Sequence, residues 1–284
     1  MIKCILKTSD LIKERQTELL DIGFVPTMGN LHQGHISLLH EALKEFKTVY
    51  FSIFVNPKQF GPSEDFNRYP RTLERDIELI ENTLIHFPDS KVIIYAPENP
   101  DEVFPKDRHQ VISVNGLSTV LEGKIRPGHF DGVATVVYRL FDIIKPSKAY
   151  FGLKDYQQYL VIKQMVNDLA LPIKIQGMPI IREIEGLALS SRNQYLTAEQ
   201  KSTSLLLFNT LSIIKNIIDQ KRVNIPKANS FITETLKDPN WNYLEIRDSE
   251  TFSEDISHSK NITILAVYQM GSTRLLDNMQ VEVQ

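Results

Sequence analysis

The sequence predicts an α/β fold with a mainly parallel sheet over residues 1–180, followed by a smaller α+β domain over 181–284. Two observations carry this. Through about residue 176, apolar β-branched runs alternate with stretches whose apolar residues recur at helical spacing, the pattern of a parallel sheet with crossover helices. After about 178 the pattern becomes one long helix and then several alternating strands. The boundary falls between 176 and 190.

The elements follow in order. Ile2–Leu6 reads as a short strand. Thr8-Ser9-Asp10 can cap a helix running through Leu20, with Leu11, Ile12, Leu19 and Leu20 apolar. Ile22, Phe24 and Val25 form a buried strand that should end at Pro26, which has no N–H to give a ladder. Gly29 and Gly34 permit a tight turn, and Ile36, Leu39, Leu43 and Phe46 mark a helix. Thr48–Val55 suits a strand buried on both faces. Residues 56–62 form a loop, Thr72–Leu84 a helix, and Lys91–Tyr95 a strand closed by Pro97. Residues 97–109 are irregular. Val111–Val114 is a predicted strand, Val133–Ile144 a helix, Ala149–Phe151 a strand, Asp155–Leu169 a helix, and Ile173–Gln176 a strand. The first domain is therefore Rossmann-like, with ligands expected beyond the carboxyl ends of its strands. In the second domain, Thr197–Gln220 reads as a long helix and 229–236 as another. Tyr243–Ile246, Ile262–Tyr268 and Arg274–Leu276 are strands, expected to be antiparallel.

Composition narrows the function classes. The chain has 284 residues, 42% hydrophobic and 24% charged, which is ordinary for a soluble globular protein. Its 32 basic and 35 acidic side chains leave a net charge of −3, and no basic cluster marks a nucleic-acid footprint. A single cysteine, Cys4, excludes an internal disulfide framework. The apolar run between Lys3 and Lys7 is too short for a signal h-region, and no stretch approaches a membrane span. A cytoplasmic protein with neither membrane nor nucleic-acid partners is expected.

The chemistry concentrates after the first buried strand, in Pro26-Thr27-Met28-Gly29-Asn30-Leu31-His32-Gln33-Gly34-His35. A strand, a glycine turn and a helix start make an anion site, because the first helical N–H groups lack partners. His32 and His35 can donate hydrogen bonds to phosphate oxygens there. The plain alternative is that such histidines cap the helix. A zinc site is a weaker rival, since no cysteine lies near the pair. The ten-residue stretch resembles the signature of pantothenate synthetases (pantoate–β-alanine ligases), a family of the H-x-G-H adenylyl-transferring superfamily.

Four further motifs match that family in order. Val55-Asn56-Pro57-Lys58-Gln59-Phe60 is similar to its pantoate-binding loop, which would give Asn56 and Gln59 to pantoate and β-alanine. As residues alone, these amides also suit a polar turn. Arg126-Pro127-Gly128-His129-Phe130-Asp131-Gly132 is similar to a segment lining the pocket, and otherwise reads as a mobile loop. Gly152-Leu153-Lys154-Asp155 with Gln158 resembles the family's G-E-K-D nucleotide segment, Leu153 departing from its glutamate. Ile181 and the run Leu189-Ser190-Ser191-Arg192 resemble the superfamily's mobile phosphate-binding loop. Glu74 and Asp76 lie in the first turn of their helix and complement its dipole. No metal ligand is assigned.

The resemblance covers the first 195 residues most closely, and less specifically Thr273-Arg274-Leu275-Leu276-Asp277-Asn278. It implies ATP-dependent condensation of (R)-pantoate with β-alanine through a pantoyl adenylate, releasing pyrophosphate and AMP. His35, His32 and Lys154 would be catalytic. Met28, Gly29, Asn30, Leu31, Gln33, Gly34, Gly152, Leu153, Asp155, Ile181, Leu189, Ser190, Ser191 and Arg192 would join them in holding ATP. Gln59, Gln158 and Asn56 would bind pantoate and β-alanine. Mg2+ would accompany ATP, and the enzyme would be a homodimer whose second domain closes over the site. The alternatives are another nucleotidyltransferase of the superfamily, or a nucleotide sensor without turnover.

Overall fold

The computed structural model describes residues 1–17, 21–62, 64–106, 110–219 and 224–283. They fall into two compact units. Residues 1–153 and 157–179 make the first, and 154–156 with the chain from 180 onward the second.

The first unit contains β1 (Ile2–Ile5), α1 (Thr8–Thr17), β2 (Gly23–Thr27), α2 (Gln33–Glu45), β3 (Thr48–Ile53), α3 (Leu73–Leu84) and β4 (Lys91–Tyr95). Then follow α4 (Pro100–Val103), α5 (Glu122–Ile125), α6 (His129–Ile144), β5 (Lys148–Gly152), α7 (Tyr156–Asp168) and β6 (Lys174–Met178). The six strands form one parallel sheet in the order β1-β4-β3-β2-β5-β6. Side chains of a strand alternate between faces, and here both faces are buried. Phe24, Tyr50, Ile93 and Tyr95 join a core with Leu11, Val137, Phe141 and Ile162 of α1, α6 and α7. Their neighbours Val25, Val49, Phe51, Val92 and Ile94 join a second core with Leu39, Leu43 and Ile80 of α2 and α3. That explains why the central strands read as continuous apolar runs. The strand order reverses between β2 and β5, so the carboxyl ends of these two strands flank the switch point of the sheet, where such folds bind ligands.

Several boundaries differ from expectation. β2 does not end at Pro26 but runs through Thr27, whose carbonyl accepts from the Phe54 N–H on the β3 side. Pro26 faces the other way, and pairing with β5 has already stopped at Phe24, so its missing N–H breaks no ladder. Residues 111–114 form no strand. Ile112 and Val114 are buried against α6, and the Ile112 N–H is taken by the Thr135 hydroxyl at 2.9 Å instead of a neighbouring strand. α6 begins at His129, ahead of the predicted Val133. Leu19, Leu20 and Gln220 lie outside the described residues.

The second unit contains α8 (Ala198–Thr203), α9 (Leu205–Asp219), α10 (Ile225–Thr235), β7 (Trp241–Asp248), β8 (Asn261–Met270) and β9 (Thr273–Glu282). The strands form an antiparallel sheet in the order β7-β8-β9. Leu207, Leu211, Ile214 and Ile218 of α9 cover Ile262, Ile264 and Ala266 of β8. The single helix expected over 197–220 is two, broken at buried Ser204. Its hydroxyl donates to the Lys201 carbonyl at 2.6 Å, a side-chain bond that competes with the helical ladder.

Candidate active site

The signature sits at the carboxyl end of β2 and the start of α2. Its turn is built on left-handed backbone, with φ +80° at Gly29 and +51° at Asn30. A Cβ at Gly29 would lie 2.9 Å from Ile53 Cγ2 and 3.1 Å from an Asp76 oxygen, so the turn closes only with glycine. Asp76, in α3, holds the turn. Its fully buried carboxylate accepts from the N–H groups of Asn30 at 2.9 Å and Leu31 at 2.8 Å, and from the Thr72 hydroxyl at 3.2 Å. Burial raises its pKa, and the two backbone N–H groups offset this only in part.

His32 is the N-cap of α2. Its Nδ1 accepts from the Gly34 N–H at 3.1 Å, and the His35 Nδ1 accepts from the His32 N–H at 3.3 Å. The rings lie 4.1 Å apart between centroids. A nitrogen that accepts carries no proton. Both neutral rings therefore carry their proton on Nε2, and each has an Nε2–H of the kind a phosphate oxygen accepts. The capping and anion-binding readings are thus compatible: capping fixes the tautomer that anion binding needs. A Cβ at Gly34 would stand 2.8 Å from His32 Cε1, so that glycine lets the ring lie over the helix start.

Asn56 and Gln59 occupy the loop after β3. The Asn56 amide donates to Gln59 Oε1 and to the Gly132 carbonyl, both at 3.1 Å, while its oxygen caps the Lys58 N–H at 3.1 Å. Gln59 Nε2 donates to Met28 Sδ at 2.9 Å, joining this loop to the signature. The 126–132 segment packs directly against it and is no loose loop. A Cβ on Gly132 would lie 2.2 Å from the Lys58 carbonyl oxygen, so α6 approaches the loop backbone to backbone.

Gly152 ends β5. Leu153 packs on Gly177 of β6, where a Cβ would meet its Cδ2 at 2.6 Å. Half-buried Gln158 lies in the first turn of α7. Its neighbour Gln157, which sequence reasoning passed over, is buried and pins the 117–122 turn. It donates to the Leu117 and Val120 carbonyls at 2.7 and 2.8 Å and accepts from the Glu122 N–H at 3.2 Å.

The remaining residues belong to the second unit. The Lys154 ammonium lies 3.7 Å from Asp155, and its carbonyl accepts from Asn278 at 2.8 Å. Ile181 and Leu189 close a hairpin through the Leu189 N–H and Ile181 carbonyl at 3.0 Å. Arg182 anchors that hairpin with a two-pronged bond to buried Asp277 at 2.5 and 2.8 Å. Ser190 caps the turn Ser191–Tyr195 by accepting from the Arg192 N–H at 3.3 Å, and Ser191 and Arg192 lie in that turn. Asp277 and Asn278 give the last quoted motif its structural meaning, which local sequence pattern does not reveal.

The sequence profile of the pantoate-beta-alanine ligase family matches residues 1–280. The chain belongs to this family. Relatives named pantothenate synthetase include one from Caldicellulosiruptor saccharolyticus, 43% identical over 96% of both chains, and one from Aquifex aeolicus, 41% identical over 99% of both. A crystal structure of the pantothenate synthetase from Thermus thermophilus is similar at a TM-score of 0.89 and 37% identity, covering 98% of this chain and 99% of that one. The pantoate-beta-alanine ligase of Francisella tularensis, at TM-score 0.75 and 33% identity, covers 98% and 97%, and was crystallised with β,γ-ATP and β-alanine. The two-sheet α/β architecture is thus that of the pantoate-beta-alanine ligases.

Proposed function

We propose that this chain condenses (R)-pantoate with β-alanine at the expense of ATP, as a pantothenate-forming ligase. A carboxylate is a poor acyl donor, so it is first activated. The pantoate carboxylate oxygen attacks the ATP α-phosphorus and pyrophosphate leaves. The β-alanine amine then attacks the acyl carbon, and AMP leaves with that oxygen. The first step needs hydrogen-bond donors where phosphate charge develops, and little covalent help. The observation that carries this reading is the pair of imidazoles whose Nδ1 atoms are turned onto the backbone, leaving the proton on Nε2 at a helix start.

On this reading His32 and His35 face the phosphates, with Lys154 and the 189–192 turn as further donors. Met28–His35, Gly152–Asp155 and Ile181 hold the nucleotide. Gln59 and Gln158 orient pantoate and β-alanine. A thioether is a weak acceptor, so Gln59 gives up its bond to Met28 cheaply when a substrate hydroxyl arrives. Asn56, with amide and carbonyl both engaged, acts through Gln59. On this reading residues 1–180 are the catalytic domain and 181–284 the smaller C-terminal one. Among the described residues, no three His, Cys, Asp or Glu side chains converge as a metal site. On this reading Mg2+ arrives with the ATP phosphates, as it commonly does. The family resemblance supports a homodimer, and the single cysteine suits the cytoplasm.

The test is incubation with ATP, Mg2+, pantoate and β-alanine, with products identified by mass. Pantothenate and AMP are expected. Pyrophosphate release without pantothenate would favour another nucleotidyltransferase. His35→Ala should lower adenylation by about 10²–10³-fold in a folded protein. Near-normal turnover would remove His35 from the mechanism.

A further inference from the structure

We propose that Arg126 and His129 are positioning residues that set Gln59 in place for pantoate. This rests on the reading of Gln59 as a pantoate-binding residue. The His129 Nδ1 lies 2.8 Å from the Gln59 carbonyl oxygen, and its Nε2 lies 3.0 Å from Arg126 Nη1. A carbonyl only accepts and a guanidinium only donates. The ring is therefore neutral with its proton on Nδ1, the opposite tautomer from His32 and His35.

Arg126 is itself fixed. Glu64 grips it with two bonds, at 2.7 and 2.6 Å, and the Glu122 carboxylate lies 3.7 Å away. Its second Nη reaches the same Gln59 carbonyl at 3.4 Å. Glu122 is held in turn through its N–H by Gln157, next to Gln158. A continuous chain of polar contacts thus runs from the start of α7, through Glu122, Arg126 and His129, to the backbone of Gln59. On the other side of Gln59, Asn56 ties its side chain to Gly132. Backbone and side chain of one glutamine are fixed by the same helix start. The donors of Arg126 and His129 converge on one main-chain oxygen.

The test uses substitutions that imitate one ring nitrogen at a time. An asparagine amide nitrogen falls near the place of Nδ1, and a glutamine amide nitrogen near that of Nε2. His129→Ala and His129→Gln should raise the KM for pantoate roughly tenfold or more, with the KM for ATP within about twofold, because small misplacements of an orienting group are costly. His129→Asn should restore most of the pantoate KM. Thermal unfolding is recorded for each. Should His129→Ala fail to fold, Glu64→Gln, which loosens Arg126 from its far side, carries the same expectation. Equal losses for both substrates, or Asn and Gln variants that behave alike, would overturn the proposal. Gln59→Ala is the control. If it leaves the pantoate KM unchanged, the reading of Gln59 fails. If it raises that KM while His129→Ala does not, the positioning role alone fails.

Discussion

A single buried carboxylate decides the shape of the signature. Asp76 faces two backbone N–H groups, and in Asp76→Asn one acceptor becomes a donor pointing at a donor. The variant should lose about 1–3 kcal/mol in urea unfolding, together with adenylation rate; unchanged stability would mean that the turn holds itself. His129 gives the molecule a pH signature. Burial and the neighbouring Arg126 push its pKa down to about 4, below the ordinary histidine value of 6.5. Between those values the unfolded chain binds a proton that the folded chain refuses, so stability falls as pH drops from about 6.5 to 4. Asp76, with its raised pKa, contributes in the opposite direction. Comparing unfolding of His129→Asn with the parent across this window isolates the histidine, and an unaltered pH slope would contradict the assignment. Sequence shows the histidines and amides but not these supports. Asp76 reads as a helix-dipole partner, because its two N–H donors lie about 45 residues earlier. Glycine-rich 126–132 reads as a mobile loop, because a close backbone approach leaves no trace except the glycine itself.

Elements were legible wherever burial matched a simple period. The strands after Ile22 and Thr48 and at Lys91–Tyr95 stand out because both faces of each are covered. Residues 111–114 carry the same β-branched signal but pack on α6 without a ladder, and composition does not tell these cases apart. Ser204 breaks a helix through one side-chain bond that a periodicity count ignores. In the second unit, the 181–189 hairpin hangs on Arg182 and Asp277. Removing one member of a largely buried pair strands the other. Asp277→Ala should therefore cost about 2–3 kcal/mol, less than a fully buried pair because Arg182 is partly solvated. Hydrogen exchange at the Glu183 and Leu189 amides should speed up more than in β8. Uniform protection across the unit would show that the hairpin is held elsewhere.

At the scale of the whole molecule, the placement of the cysteine bears on the chemistry. Cys4 lies in β1, separated from β2 by β4 and β3, so about 14 Å of sheet stands between it and the signature strand. The one thiol therefore stands away from the signature, and in the proposed route AMP carries the acyl group. With 18O in the pantoate carboxylate, one labelled oxygen should appear in AMP. Label in inorganic phosphate, with ADP as co-product, would mean an acyl phosphate and overturn the adenylate route. The same sheet order also governs how the chain is made. β1 leaves the ribosome well before β4, its partner in the sheet among the described residues, Ile2 pairing with Val92. At synthesis rates of roughly 5–20 residues per second, the first strand waits about 5–18 s for a partner. Lys3 within it and Lys7 just after it keep that waiting edge charged, which discourages pairing with other nascent chains before its own fourth strand arrives.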